Sequence, residues 1–488
     1  MISWLRNTLL HFIKSDKAAP LTAGLGAGLY PVLFYYNNNY AMANSWQHLL
    51  FFFGVFIALP TLGLLLLRKI FSYGQLKPHK KYLLPFFSVF VFLFLLMYCI
   101  YAEIHESKVI GIFILADLFA LLAWRHYKKL IVVQLLLAAV VFVKLLPDFY
   151  RHLRYDDNWA QLTPEEKSIK FVKKPNIYFI QPDGYVNAAE LRKGYYKYDN
   201  SAFESWLGEQ GFRVYETFRG NYYSTLSANS SLFMMKHHYY QNKISERKDI
   251  VGENNVLTLL KANGYQTFLL IETEYLIFNR TPLYYDHCNI SPLEMDFIGT
   301  GIALRKNLIE DLHQTEALRN APYFYFIEHI KPTHITTSAA TSLGVEGERL
   351  AYLERLEDAN AWLKAVIGEI TEKDPEGLIV IMADHGGYVG MGSTAENFIK
   401  TQDRDKIYSV FGTQLAVKWP ETYDASLDAE LGSAVNFFRV LFSWLSDSRV
   451  LLEHKEKDRS YIQLEEGAPP GVYEYIAEDG AIQAKKIE

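Results

Sequence analysis

Apolar residues run almost unbroken through five stretches of the first third of the chain: 18–36, 47–67, 82–101, 109–124 and 129–147. Each comes close to the ~20 residues that a helix needs to cross the hydrocarbon core of a bilayer. The pattern predicts five membrane-spanning helices in residues 1–147, the fourth being short and interrupted by Asp117. Ahead of them, Met1 to Lys14 is charged and amphipathic, with no small-residue cleavage site after a short apolar core. It reads as a segment lying on the inner membrane surface rather than a removable signal. A charge inside a span is costly and therefore a candidate functional residue; for Asp117 the plainer readings are pairing with a neighbouring span through Lys144, or a place near the interface. Cys99 reads as an ordinary apolar residue of the third span.

The pattern then changes. A polar connector, 148–174, leads to short, continuously apolar runs: Asn176 to Asp183, Tyr265 to Ile271, Pro322 to Glu328 and Gly377 to Asp384. Between them lie segments with helical spacing, such as Val256 to Asn263, stopped by Gly264, and Gly347 to Ile370. Helices alternating with fully apolar strands predict a mostly parallel central sheet covered on both faces, here spanning 175–465. Residues 466–488 read as a C-terminal surface appendage with one possible hairpin.

Charge turns this layout into a topology. Of 488 residues, 50% are hydrophobic and 21% charged, which excludes a disordered chain, and a formal net charge of -5 argues against a nucleic-acid binder. The total conceals a split: residues 1–147 hold 13 Lys/Arg and 4 Asp/Glu, leaving 36 and 50 for the remainder. Within the first part, Arg68, Lys69, Lys77, Lys80 and Lys81 lie between spans two and three, and Arg125, Lys128 and Lys129 between four and five. Residues 37–46 are uncharged, and Glu103, Glu106 and Lys108 make the next outer loop slightly acidic. Basic loops stay in the cytoplasm, so the N-terminus is expected inside and everything after Pro147 outside. Cys99 and Cys288 cannot build a disulfide framework.

In such a sheet, sites form beyond the carboxyl ends of the strands, where three runs end in Asp183, Glu328-His329 and Asp384-His385. Asp384-His385-Gly386-Gly387 sets a carboxylate and an imidazole side by side, able to reach one divalent cation if the glycines let the backbone turn. The stretch Asn221 to Phe233 (NYYSTLSANSSLF) begins rich in hydroxyls and becomes apolar, as a helix start does. There a hydroxyl is either a cap or a nucleophile helped by the helix dipole and by free backbone N–H groups.

Together these residues resemble the sulfatase-like branch of the alkaline phosphatase superfamily. Asn176–Asp183, the helix and turn of Phe203–Tyr215, Thr225–Phe233 (TLSANSSLF, against T-L-P-S-H-A-S-L-F), residues 256–271, His329-Ile-Lys-Pro-Thr-His334 and Asp384-His385-Gly386 follow the order of its motifs over about 170–450. Spans ahead of such a domain are similar to those of lipoteichoic acid synthases, phosphoglycerol transferases and phosphoethanolamine transferases of a bacterial cytoplasmic membrane. The resemblance implies one divalent metal ion, Zn²⁺ or Mn²⁺, on Asp183, Thr225, Asp384 and His385, with Thr225 also the nucleophile. It places His334 near the leaving group, and offers His329, Lys236, His237 and Asn229 as residues that meet substrate. It implies transfer of a phospho-head group from a membrane phospholipid to an extracytoplasmic glycan or glycolipid. Departures matter: Thr225 cannot become the formylglycine of true sulfatases, Gly387 replaces a common acid, and a slip of register would substitute Ser224 or Ser227. The outer domain's single cysteine slightly favours phosphoglycerol chemistry over phosphoethanolamine. A phosphodiesterase or phosphatase using water, a sulfatase-like hydrolase, and a non-catalytic envelope scaffold are the alternatives.

Overall fold

The computed structural model describes residues 2–155, 158–239, 246–320 and 322–487. It divides into two compact units, Met1–Tyr155 with Phe278–Arg280 and Asp296–Gly301, and the rest. The first is helical: α1 (Ile2–Lys14), α2 (Pro20–Ala43), α3 (Trp46–Ile70), α4 (Lys80–Tyr101), α5 (Glu106–Leu122) and α6 (Tyr127–Arg154). The five expected spans correspond to α2 through α6. Three stretches, Trp46–Ile70, Gly74–Tyr101 and Trp124–Arg154, are long and apolar enough to cross a membrane by length and composition. In α3 the turns at Phe53–Ala58 widen to π-helix just ahead of Pro60, which has no N–H to donate and whose ring crowds the preceding turn. Close packing rests on three glycines of α2. A Cβ at Gly24 would stand 1.9 Å from Thr61 Oγ1, and one at Gly28 2.2 Å from the Phe56 carbonyl, while Gly26 faces Gln134 and Ile131 of α6. Small residues four apart let two helix backbones approach this way.

Two charged residues of this unit, Asp117 and Lys128, take places that the sequence left open. Among the described residues Asp117 makes no ion pair with Lys144; both side chains are exposed on their helices. Lys128, read as a topology marker, is buried and donates to the carbonyls of Phe12 and Ser15, holding the end of α1. Cys99 is buried as expected, its Sγ 3.4 Å from the Pro31 carbonyl.

The second unit is built on a seven-stranded sheet. Its strands are β1 (Ile177–Pro182), β2 (Arg213–Val214), β3 (Gln266–Ile271), β4 (His287–Cys288), β5 (Tyr323–His329), β6 (Leu378–Met382) and β7 (Leu415–Lys418), in the order β2-β7-β6-β1-β5-β3-β4. The sheet is mostly parallel: β6, β1, β5, β3 and β4 run together, and only β7 is antiparallel to its neighbours. The four apolar runs of the sequence are the central strands. They read as continuous apolar stretches because both faces are covered. Alternate residues divide between two cores: Ile177, Phe179, Phe324, Phe326 and Val380 on one face, Tyr178, Ile180, Tyr325, Ile327 and Ile381 on the other. After α7 (Ser201–Glu209) come α8 (Thr225–Met234), α9 (Asn255–Ala262), α10 (Gly344–Lys373) and α11 (Phe437–Ser446). Helices α8, α9 and α11 cover the first face, and α10 covers the second.

The connector has more structure than its polarity suggested. Thr163 and Glu166 form a reciprocal capping box on a short helix, Pro164–Lys167. Glu166 is buried and pairs at 2.6 Å with Arg439 of α11, whose guanidinium also donates to the Met235 carbonyl at the end of α8. Residues 460–486 form a second, antiparallel sheet of β8 (Ser460–Leu464), β9 (Gly471–Ile476) and β10 (Ile482–Lys486). The segment expected as a surface appendage supplies its last two strands, with Tyr475 and Ile476 buried.

Candidate active site

Asp183 follows β1 directly, and Asp384 and His385 follow the neighbouring β6, so all three stand at the carboxyl ends of adjacent strands. Thr225 is the first residue of α8, half-buried, with its Oγ1 3.3 Å from Asp183 Oδ1 and 3.3 Å from His385 Nε2. His385 Nε2 lies 3.5 Å from Asp183 Oδ1 and 3.4 Å from Asp384 Oδ2. One ligand atom from each of Asp183, Asp384 and His385 falls within 4.8 Å of the others. The turn that brings them together needs bare backbone. Gly184 has φ +70°, and a Cβ there would sit 2.6 Å from the Thr333 carbonyl carbon. Gly386 and Gly387, expected to permit a turn, serve by absence of volume instead, because a Cβ on either would strike the Ser409 carbonyl or the Tyr352 ring.

The donor atoms are poised for a cation. His385 Nδ1 lies 2.9 Å from the Gly386 carbonyl, a contact that requires the proton on Nδ1 and leaves Nε2 to face the carboxylates. Asp384 Oδ1 accepts from the Gly184 N–H, whereas Oδ2 is buried without a hydrogen-bond partner. Burial, and then the Asp384 charge, push the Asp183 carboxyl up to about 7. Burial lowers the His385 pKa, but the Asp384 and Asp183 carboxylates raise it by more. A half-buried and a buried acid, an imidazole and a hydroxyl converging with one oxygen orphaned are a donor set that suits Zn²⁺ or Mn²⁺.

The start of α8 adds a second attraction for anions. Ser224 occupies the cap position but makes no side-chain cap; its Oγ donates to Ser227 Oγ at 3.1 Å, and Ser227 meets Tyr239 OH at 3.2 Å. By contrast, α9 is capped by Asn254. The start of α8 thus lacks the side-chain cap that Ser224 could have given it. Of the three hydroxyls, that of Thr225 is the one that meets the acid and imidazole cluster, while Ser224 and Ser227 bond each other.

A cleft of about 160 Å³ opens over Thr225, lined also by Tyr223, Tyr275, His334, Tyr388 and Asn397. His334 lies 5.8 Å from His385, ring to ring; its Nδ1 is 2.6 Å from the Ile335 carbonyl, which leaves Nε2 as the basic nitrogen. Burial and the His385 charge hold its pKa low. Tyr388 has φ +62°, a costly conformation for an aromatic residue, and its hydroxyl donates to the Tyr223 carbonyl. Asn397 is buried in the cleft wall with Nδ2 unpartnered. Sequence reading passed over it because a lone Asn in a short 3-10 turn, Thr394–Phe398, carries no pattern.

Other expected substrate contacts lie elsewhere. Asn229 exchanges amide hydrogen bonds of 2.8 Å with Gln181 beneath α8. His329 Nδ1 pairs with Glu272 at 2.7 Å, and its ring stacks on Trp362. Lys236 pairs with Glu456 at 3.3 Å, and His237 is held by Tyr222 and the Lys457 carbonyl. None of these four lines the cleft over Thr225.

No protein-family model matches the chain, and no curated protein does. Among solved structures, it is similar to the periplasmic domain of EcEptC from Escherichia coli, with 13% identity and a TM-score of 0.42 over 63% of this chain and 95% of that one. That domain was also solved in complex with Zn. The integral membrane lipooligosaccharide phosphoethanolamine transferase A from Neisseria meningitidis matches at 12% identity and TM-score 0.40, over 88% of this chain and 96% of that one. The lipoteichoic acid synthase LtaP from Listeria monocytogenes matches at 11% and 0.40, over 65% and 91%.

Proposed function

We propose that this protein is a membrane-anchored, metal-dependent transferase. It moves a phosphorus-containing head group, of phosphoglycerol or phosphoethanolamine type, from a membrane phospholipid to a hydroxyl of an extracytoplasmic glycan or glycolipid. The observation that carries this reading is Thr225 Oγ1, 3.3 Å from both Asp183 and His385 at an uncapped helix start, beside the orphaned Asp384 Oδ2. Helices α2 to α6 are read as five crossings, with the N-terminus in the cytoplasm and the second unit outside, on the charge of the connecting loops. This arrangement keeps the nucleophile on the side where lipid donors and envelope glycans occur.

A Zn²⁺ or Mn²⁺ ion held by Asp183, Asp384, His385 and Thr225 supplies positive charge that lowers the pKa of the Thr225 hydroxyl and offsets charge on phosphoryl oxygens. Thr225 Oγ1 attacks phosphorus, a new P–O bond forms, and the bond to diacylglycerol breaks, the Thr225 hydroxyl proton ending on the departing diacylglycerol oxygen and a phosphothreonine ester remaining. The N–H groups at the start of α8 and Asn397 Nδ2 donate to phosphoryl oxygens. An acceptor hydroxyl then attacks phosphorus, giving its proton to His334 Nε2, which passes it on to Thr225 Oγ1 as the P–O bond to Thr225 breaks and the hydroxyl is restored. The small cleft, walled by tyrosines and an amide, suits a compact head group.

The test is the full-length protein in vesicles of labelled phosphatidylglycerol or phosphatidylethanolamine. Wild type releases diacylglycerol and carries the head-group mass on the Thr225 peptide, and Thr225→Ala does neither while keeping its fold. Head-group phosphate released to water instead of an acceptor identifies a hydrolase. Full turnover by Thr225→Ala sinks the nucleophile assignment.

A further inference from the structure

A broad concavity of the second unit lies away from the Thr225 cleft. It measures about 740 Å³ and is bounded by the 455–461 segment, by β10 and by His237. Its walls carry Lys455, Lys457, Arg459, Lys485 and Lys486 against only two acids, Glu456 and Glu474. This is a reversal of sign in a region whose sequence holds more acids than bases. The two acids are already engaged, Glu456 with Lys236 at 3.3 Å and Glu474 with Arg459 at 3.0 Å. Lys455 is likewise held, by Glu430 at 3.2 Å and Asp458 at 3.5 Å. Lys457, Lys485 and Lys486 remain, and among the described residues none of them meets a carboxylate; Lys486 donates only to the Pro470 carbonyl, at 2.9 Å. Three like charges brought onto one hollow from two separate segments repel one another, a cost that a bound anion removes.

The floor is fixed rather than loose. Buried His237 spans the Lys457 carbonyl at 2.8 Å and Tyr222 OH at 3.1 Å, and its ring packs 4.9 Å from Tyr461. The hollow is therefore anchored on the residues that lead into Thr225, yet shares no lining residue with that cleft. Lysine ammonium groups are compact point charges and suit a concentrated, multiply charged anion better than a planar carboxylate.

We infer that this hollow is a second anion site that binds a phosphate monoester or diphosphate group, with Lys457, Lys485 and Lys486 as its contacts. The site stands independently of the transferase reading. It is tested by calorimetric titration of metal-stripped, full-length protein in zwitterionic detergent, with inorganic pyrophosphate in one arm and dihexanoyl phosphatidic acid in the other. Saturable binding is expected with at least one probe, weakened at least tenfold in Lys457→Glu/Lys485→Glu and by 0.5 M salt, and unchanged in Asp384→Asn. Binding of pyrophosphate alone assigns the site to soluble phosphates, and binding of phosphatidic acid alone to membrane-borne monoesters. Equal affinity in the double-lysine variant, loss of binding in Asp384→Asn, or no saturable binding of either probe overturns it.

Discussion

His334 and Asn397 show how differently residues of one cleft announce themselves. Asp183, Asp384 and His385 were legible because each follows an unbroken apolar strand, and the ends of parallel strands are where such sheets place chemistry. Thr225 was legible as a hydroxyl at a helix start. Lys236 and His237 were drawn in by nearness in sequence to Thr225. The ten residues of α8, however, rise about 1.5 Å each, so they carry the chain some 15 Å along before Met235 turns it away at φ +53°. Asn397 sits in a short 3-10 helix far along the chain, and only folding brings it to Thr225. If His334 takes the acceptor proton, His334→Gln slows transfer by about 10²–10⁴-fold, the usual worth of a general base. The phosphothreonine ester then accumulates, visible as a stable mass increment on the Thr225 peptide. An unchanged rate of ester breakdown removes His334 from that role.

Among elements, the join between α8, α11 and the connector shows why polarity misled the sequence reading. The run 148–174 looked patternless, but Thr163 to Glu166 is a capping-box spacing, and its Glu reaches a guanidinium buried in α11. Arg439 is fully buried and ties Glu166 to the carbonyls of Met235 and Leu451. Removing one member of a buried pair strands the other, so Glu166→Gln should cost about 3–5 kcal/mol, read as a lowered urea midpoint. Burial works to raise the Glu166 pKa, but the Arg439 hydrogen bond and charge lower it by more. A carboxyl whose folded pKa is depressed contributes stability above its unfolded value, near ~4.3, and loses it as pH falls through the folded value. The difference in stability between wild type and Glu166→Gln should therefore be constant from pH 8 to 5 and shrink below pH 4. A difference that instead grows in acid refutes the assignment. In the helical unit, the glycines of α2 that admit α3 and α6 were equally readable at spacing four, and were read only as part of an apolar run.

For the whole molecule, uneven charge was the most informative feature of the sequence, and the alternation of helices with apolar strands after residue 175 was borne out as a mostly parallel sheet. The antiparallel β7 and the short edge strands β2 and β4 were not foreseen, since strands of two to four residues leave too few positions to show a period. Reporter fusions decide the proposed topology: a periplasmically active reporter should work when placed at 40 or after 155, and fail at 75 or 126. Activity at 75 reverses the orientation, and loss of the alternation revises the number of crossings. The uncapped start of α8 carries a consequence for the melting behaviour of the protein. An internal cap, such as the one Asn254 gives α9, stabilises a helix under all conditions. At α8 the proposed phosphoryl group would supply that stabilisation, binding the native chain and not the unfolded one. By mass action an anion at 100 times its Kd adds about 2.7 kcal/mol. The melting temperature should therefore climb with the logarithm of phosphate concentration in Lys457→Glu/Lys485→Glu protein loaded with Zn²⁺, and climb less steeply when Thr225→Pro, which fits the first helical position but has neither N–H nor hydroxyl, takes two donors from that helix start.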